Sequence, residues 1–121
     1  MTTTPTQAIS LNPFNGQRIA EYPFDTGLAL EAAVAQGGAA FKQWRKTDIT
    51  QRASLLNNLA AELREASEDI ARMISREMGK PVKKARAEVE KSAGLCEWYA
   101  QHGPAMLAPE PTMVDNGEAH I

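Results

Sequence analysis

Apolar residues recur at helical spacing over most of this 121-residue chain, and the places where the pattern breaks define the elements. Thr26 is placed to cap a first helix, whose apolar positions Leu30, Val34, Phe41 and Trp44 share a face with Gly38. The pair Gly37-Gly38 costs that helix roughly 1 kcal/mol per glycine and predicts a close helix crossing there. Asp48-Ile49-Thr50-Gln51 reads as a capping box ahead of the stripe Leu55, Leu56, Leu59, Ala60 and Leu63. Ser67 is the expected cap of a third helix, with Ile70, Met73, Ile74 and Met78 facing inward and Gly79 as a left-handed C-cap. Pro81 opens the longest helix, which carries Val82, Ala85, Val89, Cys96 and Tyr99 on one side and is expected to end near His102-Gly103-Pro104.

Outside this helical middle the period changes to two. Ala8 to Leu11 and Gln17 to Tyr22 alternate around Asn12-Pro13-Phe14-Asn15-Gly16, a run of turn formers that predicts a hairpin. Near the other end Pro109 and Pro111 forbid helix. Thr112 to Val114 reads as a strand and Asp115-Asn116-Gly117 as a tight turn into Glu118 to Ile121. That returning strand is cut short, which leads us to expect a longer protein of which this is one part.

Composition narrows the function. Much of the apolar content is alanine and the large aromatics are few, which favours closely packed helices over a bulky sandwich interior. A net charge of −2 gives no footprint for a phosphate backbone, so nucleic acid is not the expected partner. Cys96 is the single cysteine, so no internal disulfide forms and a reducing setting is expected. The start, Met1 to Gln7, has neither a basic end nor an apolar run, and no segment reaches spanning length; a cytoplasmic protein without a membrane partner is expected.

Candidate chemistry is sparse. Cys96 sits mid-helix on the apolar side with no histidine within a turn, the setting of a structural thiol rather than a nucleophile. His102 and His120 lack metal-ligand spacing, and Glu88 and Glu90, two apart, fall on different helix faces. No glycine-rich phosphate loop is present. Glu77 is different, because a carboxylate in the last turn of a helix opposes the macrodipole and asks for a cation. Lys80 or Arg76 is one source of that cation; a bound metal is the other.

Glu77-Met78-Gly79-Lys80-Pro81, followed by Ala85-Arg86-Ala87-Glu88-Val89 and Trp98-Tyr99-Ala100, resembles the amino-terminal region of the aldehyde dehydrogenase superfamily. The Asn12-Pro13-Phe14-Asn15-Gly16 turn, Ala39-Ala40-Phe41 with Trp44, and Arg52 with Leu55 to Leu63 carry the same resemblance in the same order. The run from Arg86 to Leu107 is most similar to bacterial NAD(P)-dependent succinate-semialdehyde dehydrogenases.

The resemblance implies an α/β fold for the whole enzyme. This segment would be mainly α-helical, with an N-terminal β-hairpin and a truncated C-terminal one. Residues 1–106 would belong to the helical part of the cofactor-binding domain, and 107–121 would begin an oligomerisation hairpin of a dimer or tetramer. It also implies aldehyde oxidation by thiohemiacetal formation, hydride transfer to NAD or NADP and thioester hydrolysis. The residues doing that chemistry follow later in the family, so the segment alone would be inactive. An intrasubunit Na⁺ or K⁺ site maps to Glu77 with the backbone carbonyls of Ser10 and Leu11. Lys91, counted back from Trp98-Tyr99-Ala100, falls at the substrate entrance, where an ammonium suits a substrate with a distal carboxylate; a solvated lysine paired with nearby glutamates is the plainer reading. The alternative to an enzyme part is a free-standing helical interaction module.

Overall fold

The computed structural model describes residues 6–114 and 117–120. Strands β1 (Gln7–Leu11) and β2 (Arg18–Pro23) form an antiparallel pair, with a bulge between Ser10 and Leu11. The Asn12 to Gly16 turn is tied at both levels: Asn12 N–H donates to the Gln17 carbonyl at 2.8 Å, and the Asn12 carbonyl accepts from Gly16 N–H at 2.8 Å. The Asn12 and Asn15 side chains accept from the N–H groups of Phe14 and Gln17, each two residues on. Gly16, at φ 70°, takes the left-handed conformation the turn requires.

Helix α1 (Gly27–Trp44) starts where Thr26 Oγ1 accepts from Ala29 N–H at 3.2 Å, as its sequence leads one to expect. Among the described residues, no helix crosses it at its glycines. A Cβ at Gly37 or Gly38 would meet no atom within 4 Å, and no residue of α1 is buried. The apolar face of α1 is present but has no partner element covering it among the described residues.

Helix α2 (Ile49–Glu65) begins at Asp48, whose carboxylate accepts from Thr50 N–H at 2.7 Å. The capping box is thus half formed: Asp48 serves, while Gln51 makes no return bond among the described residues. Helix α3 (Ser67–Met78) follows after a single residue, Ala66. Ser67 is inside α3 rather than its cap, and Ala66 has no side chain with which to cap. The Ala66 carbonyl accepts the first bond of α3 from Ile70 N–H at 3.0 Å, and Ala66 N–H donates the last bond of α2 to the Glu62 carbonyl at 2.9 Å. The two helices thus meet at Ala66 as one bent rod, and both arms pack along the same later helix, α4 (Val82–Met106).

Gly79, at φ 67°, ends α3 in the left-handed conformation. Helix α4 (Val82–Met106) then runs back along the rod. Pro81 is its N-cap rather than its first helical residue, its carbonyl accepting from Lys84 and Ala85 N–H at 2.8 and 3.0 Å. The helix passes through Gly103 and Pro104 instead of stopping there. Pro104 lies in the last turn, where its missing N–H removes one bond only, and Leu107 N–H closes the turn onto the Gly103 carbonyl at 3.0 Å.

The core is the seam between α4 and the α2–α3 rod, and it is made of small residues. Ala85, Val89, Ala93 and Ala100 of α4 meet Ala60 of α2 and Ala71 of α3, all buried. The expected inward leucines and methionines of α2 and α3 are not all inside: Leu55, Leu59, Met73 and Met78 remain exposed. Alanine at the seam lets the helix axes approach closely, and the longer side chains splay to its margins. Strands β3 (Pro111–Val114) and β4 (Gly117–His120) form a second antiparallel pair, in continuous register from Pro111 opposite His120 to Val114 opposite Gly117. Asp115, Asn116 and Ile121 of the expected turn and returning strand, and Met1 to Pro5, lie outside the described residues.

Candidate ion and substrate-entrance sites

The hairpin turn and the end of α3 come together. Gly79 is bare because a Cβ there would lie 3.3 Å from Pro13 Cγ, so the αL residue and the proline turn fit against each other. That contact brings β1 to the last turn of α3. Ser10 Oγ donates to Glu77 Oε1 at 2.9 Å across 67 residues of sequence. Neither cation expected of the neighbouring chain answers Glu77: Lys80 pairs with Glu88 of α4, and Arg76 makes no ion pair among the described residues. The bulge between Ser10 and Leu11 interrupts the ladder at the two residues whose carbonyls the resemblance singles out. A carboxylate with an adjacent hydroxyl is a pair of hard oxygen donors, the kind that alkali cations accept. Three or more His, Cys, Asp or Glu side chains grouped as for a transition metal do not occur among the described residues.

Lys91 is exposed on α4, on the rim of a shallow depression of about 440 Å³ shared with Ala87, Glu88, Ser92 and Leu95. It forms no ion pair among the described residues, because its neighbouring glutamates are engaged elsewhere. Glu88 is held by Lys80. Glu90 and Glu97 are both held by Arg64 of α2, whose guanidinium lies 2.9 Å from Glu90 Oε1 and 2.6 Å from Glu97 Oε1. Hydrogen bonds from Arg64 hold the Glu97 carboxyl below the ordinary glutamate range, and Glu97 followed by Glu90 holds the guanidinium charge still more firmly. Arg86 likewise keeps Glu68 of α3 below its ordinary value, with Arg72 adding to the effect.

The Arg64 clamp was open to sequence reading. Glu90 and Glu97 are seven apart, two helical turns on one face, and a facing arginine is the natural complement. Cys96 is a free, half-buried thiol on α4. His102 is committed to the helix, with Nδ1 2.8 Å from the Trp98 carbonyl and its ring stacked 4.4 Å from the indole. Ser10 and Glu77 are therefore brought together, whereas Lys91 stands apart from them on another element.

This framework, a bent α2–α3 rod along α4 with a hairpin docked at the end of α3 and a second hairpin after α4, is shared with solved structures. A solved structure of Gox0499 superimposes with a TM-score of 0.91 at 26% identity, over 97% of this chain and 26% of that one. A succinic semialdehyde dehydrogenase from Streptococcus pyogenes, solved with NADP⁺, superimposes with a TM-score of 0.86 at 25% identity, over 93% of this chain and 25% of that one. The family model for the aldehyde dehydrogenase family matches residues 2–120, and the chain belongs to that family. Among its curated relatives, the NAD(P)⁺-dependent succinate semialdehyde dehydrogenase Sad of Escherichia coli K12 is 51% identical over 122 aligned residues. The alignment takes in all of this chain and 26% of the relative, so the chain spans about a quarter of the relative's length.

Proposed function

We propose that this chain is the amino-terminal part of an NAD(P)-dependent enzyme that oxidises succinate semialdehyde to its carboxylate. The 51% identity to the Escherichia coli enzyme along the whole chain carries the reading. When bound, the dinucleotide supplies the hydride acceptor; the residues that hold it, the nucleophile and the base belong to the three quarters of the enzyme beyond this region. Residues 1–106 contribute the helical flank of the cofactor domain and 107–121 the first part of an oligomerisation hairpin in a cytoplasmic homo-oligomer.

Two sites in this chain serve that enzyme. Glu77, with the main-chain carbonyls of Ser10 and Leu11, holds a Na⁺ or K⁺ ion that fastens the hairpin to α3; the Ser10–Glu77 hydrogen bond supports the assignment. Lys91 lines the substrate entrance and attracts the distal carboxylate, a role supported by its exposed position without a paired glutamate among the described residues.

The decisive experiment is a steady-state assay of the complete enzyme with succinate semialdehyde and either NAD⁺ or NADP⁺. NAD(P)H formation that saturates with this aldehyde is expected, while residues 1–121 alone give none. Turnover by a pure preparation of residues 1–121, or indifference of the complete enzyme to succinate semialdehyde, overturns the reading. Within the same assay, Lys91→Met is expected to raise KM for succinate semialdehyde several-fold and spare an uncharged aldehyde of similar length. Equal effects on both substrates remove Lys91 from the substrate path.

A further inference from the structure

Between α2 and the C-terminal end of α4 lies an open apolar groove of about 430 Å³, walled by Trp44, Leu55, Leu56, Leu59, Tyr99 and Leu107. Five of these six remain exposed, Leu107 at 72%. In this apolar wall sits a cation, Arg52. Its Nε is withdrawn from solvent and has no hydrogen-bond partner among the described residues. Asp48, a turn earlier, turns its Oδ1 to the Thr50 N–H and hydroxyl and makes no hydrogen bond to Arg52 Nε among the described residues. A guanidinium N–H cut off from water and from any acceptor costs free energy that a hydrogen-bond partner would recover.

The scale of the exposed surface indicates the occupant. The chain exposes 10096 Å², against roughly 6,400 Å² for a self-contained chain of this mass. A second copy docked in the groove would cover one face. Apolar side chains are also exposed along α1, at Leu28, Leu30, Val34 and Phe41, and at Met73 and Met78 of α3. A covering body that reaches several faces is larger than this chain, and relatives carry about three further quarters of their length outside the matched region.

We propose that the groove is the socket for the part of the enzyme beyond residue 121, and that the segment seated there presents an oxygen acceptor to Arg52 Nε between apolar side chains. The acceptor is a carboxylate or a main-chain carbonyl, since either satisfies one in-plane guanidinium N–H. Arg52 is on this view a positioning residue that fixes where the downstream body sits on α2. The proposal rests on membership of the family and is independent of the aldehyde oxidised.

The test uses the complete enzyme without substrate, so loss of the succinate-semialdehyde reading leaves its outcome untouched. Leu55→Cys is labelled with a maleimide in the native and the urea-unfolded enzyme, with the modified peptide identified by mass. We expect at least tenfold slower labelling of Cys at position 55 in the native enzyme, independent of protein concentration. Native labelling at the unfolded rate overturns the proposal, and protection that grows with protein concentration overturns it in favour of a second copy. Arg52→Met and Arg52→Lys provide the second measurement. The methionine variant is expected to lower the urea midpoint with an unchanged m-value, and the lysine variant to restore part of the loss. A midpoint unchanged or raised by Arg52→Met shows that Nε finds no acceptor and removes Arg52 from the interface.

Discussion

Gly79 performs two tasks with one missing carbon. Its φ of 67° closes α3, and its lack of a Cβ admits Pro13 to contact. Alanine would meet both penalties: a left-handed backbone strained by about 1–2 kcal/mol, and a carbon 3.3 Å from Pro13 Cγ. Gly79→Ala is therefore expected to lower the unfolding free energy of the enzyme by at least that amount in urea titration. Glu77 belongs to the same corner. If it holds an alkali cation, Glu77→Gln abolishes the difference in melting temperature between KCl and choline chloride while kcat stays near the parent value. A persisting difference assigns Glu77 to its bond with Ser10 alone.

At the scale of elements, Arg64 joins α2 to α4 through two carboxylates two turns apart, and Arg86 joins α4 to α3 through Glu68. The folded-state values of Glu97 and Glu68 lie below the ordinary 4.5, so beneath that value the unfolded chain binds more protons than the folded one. The stability contributed by these pairs is complete above pH 4.5 and is lost as the pH falls through the depressed values. The urea midpoint is expected to drop on acidification from about pH 5 to 3, and to drop less steeply in Arg64→Gln. Because the groups are exposed, the difference is expected to shrink in high salt. The seam itself has little spare volume: Ala93→Leu is expected to cost about 1–3 kcal/mol through overpacking.

Local rules made Thr26, Asp48, Gly79 and the Asn12–Gly16 turn legible in the sequence, since a cap or a positive φ is settled within a few residues. The resemblance grouped Glu77 with the carbonyls of Ser10 and Leu11 as an ion site; the contact the structure gives is from the Ser10 hydroxyl. Ser67 and Pro104 were misread for one reason. Each is a residue that can stop or start a helix: α3 starts one residue earlier than a Ser67 cap would set it, with Ala66 as the N-cap, and α4 runs through Pro104 to Met106. The Gly37-Gly38 crossing could not be tested by periodicity at all, because its truth depends on what lies against α1. Arg52 was equally opaque, since an arginine beside a leucine stripe reads as a solvated rim residue unless its Nε is seen to be shut away.

For the whole molecule, the distribution of exposed apolar surface is the main fact. Trp44, Phe41, Val34 and Leu30 on α1 repeat on one face as a buried helix would have them, yet all are open. The chain has the internal order of a folded unit along α4 and the surface of an interior elsewhere. No helix of the described residues is long and apolar enough to cross a membrane, so a bilayer-spanning role for these stripes is set aside. The Ser10–Glu77 link also sets an order of events during synthesis. The β1–β2 hairpin leaves the ribosome first, but its anchor on α3 is made 67 residues later, an interval of about 3–13 s at ordinary elongation rates. A two-stranded hairpin is marginal by itself, so for those seconds both of its edges are open to any neighbouring strand. The amino-terminal hairpin is thus the part of the nascent chain that most needs shelter, and slow codons placed before Glu77 would lengthen its exposure.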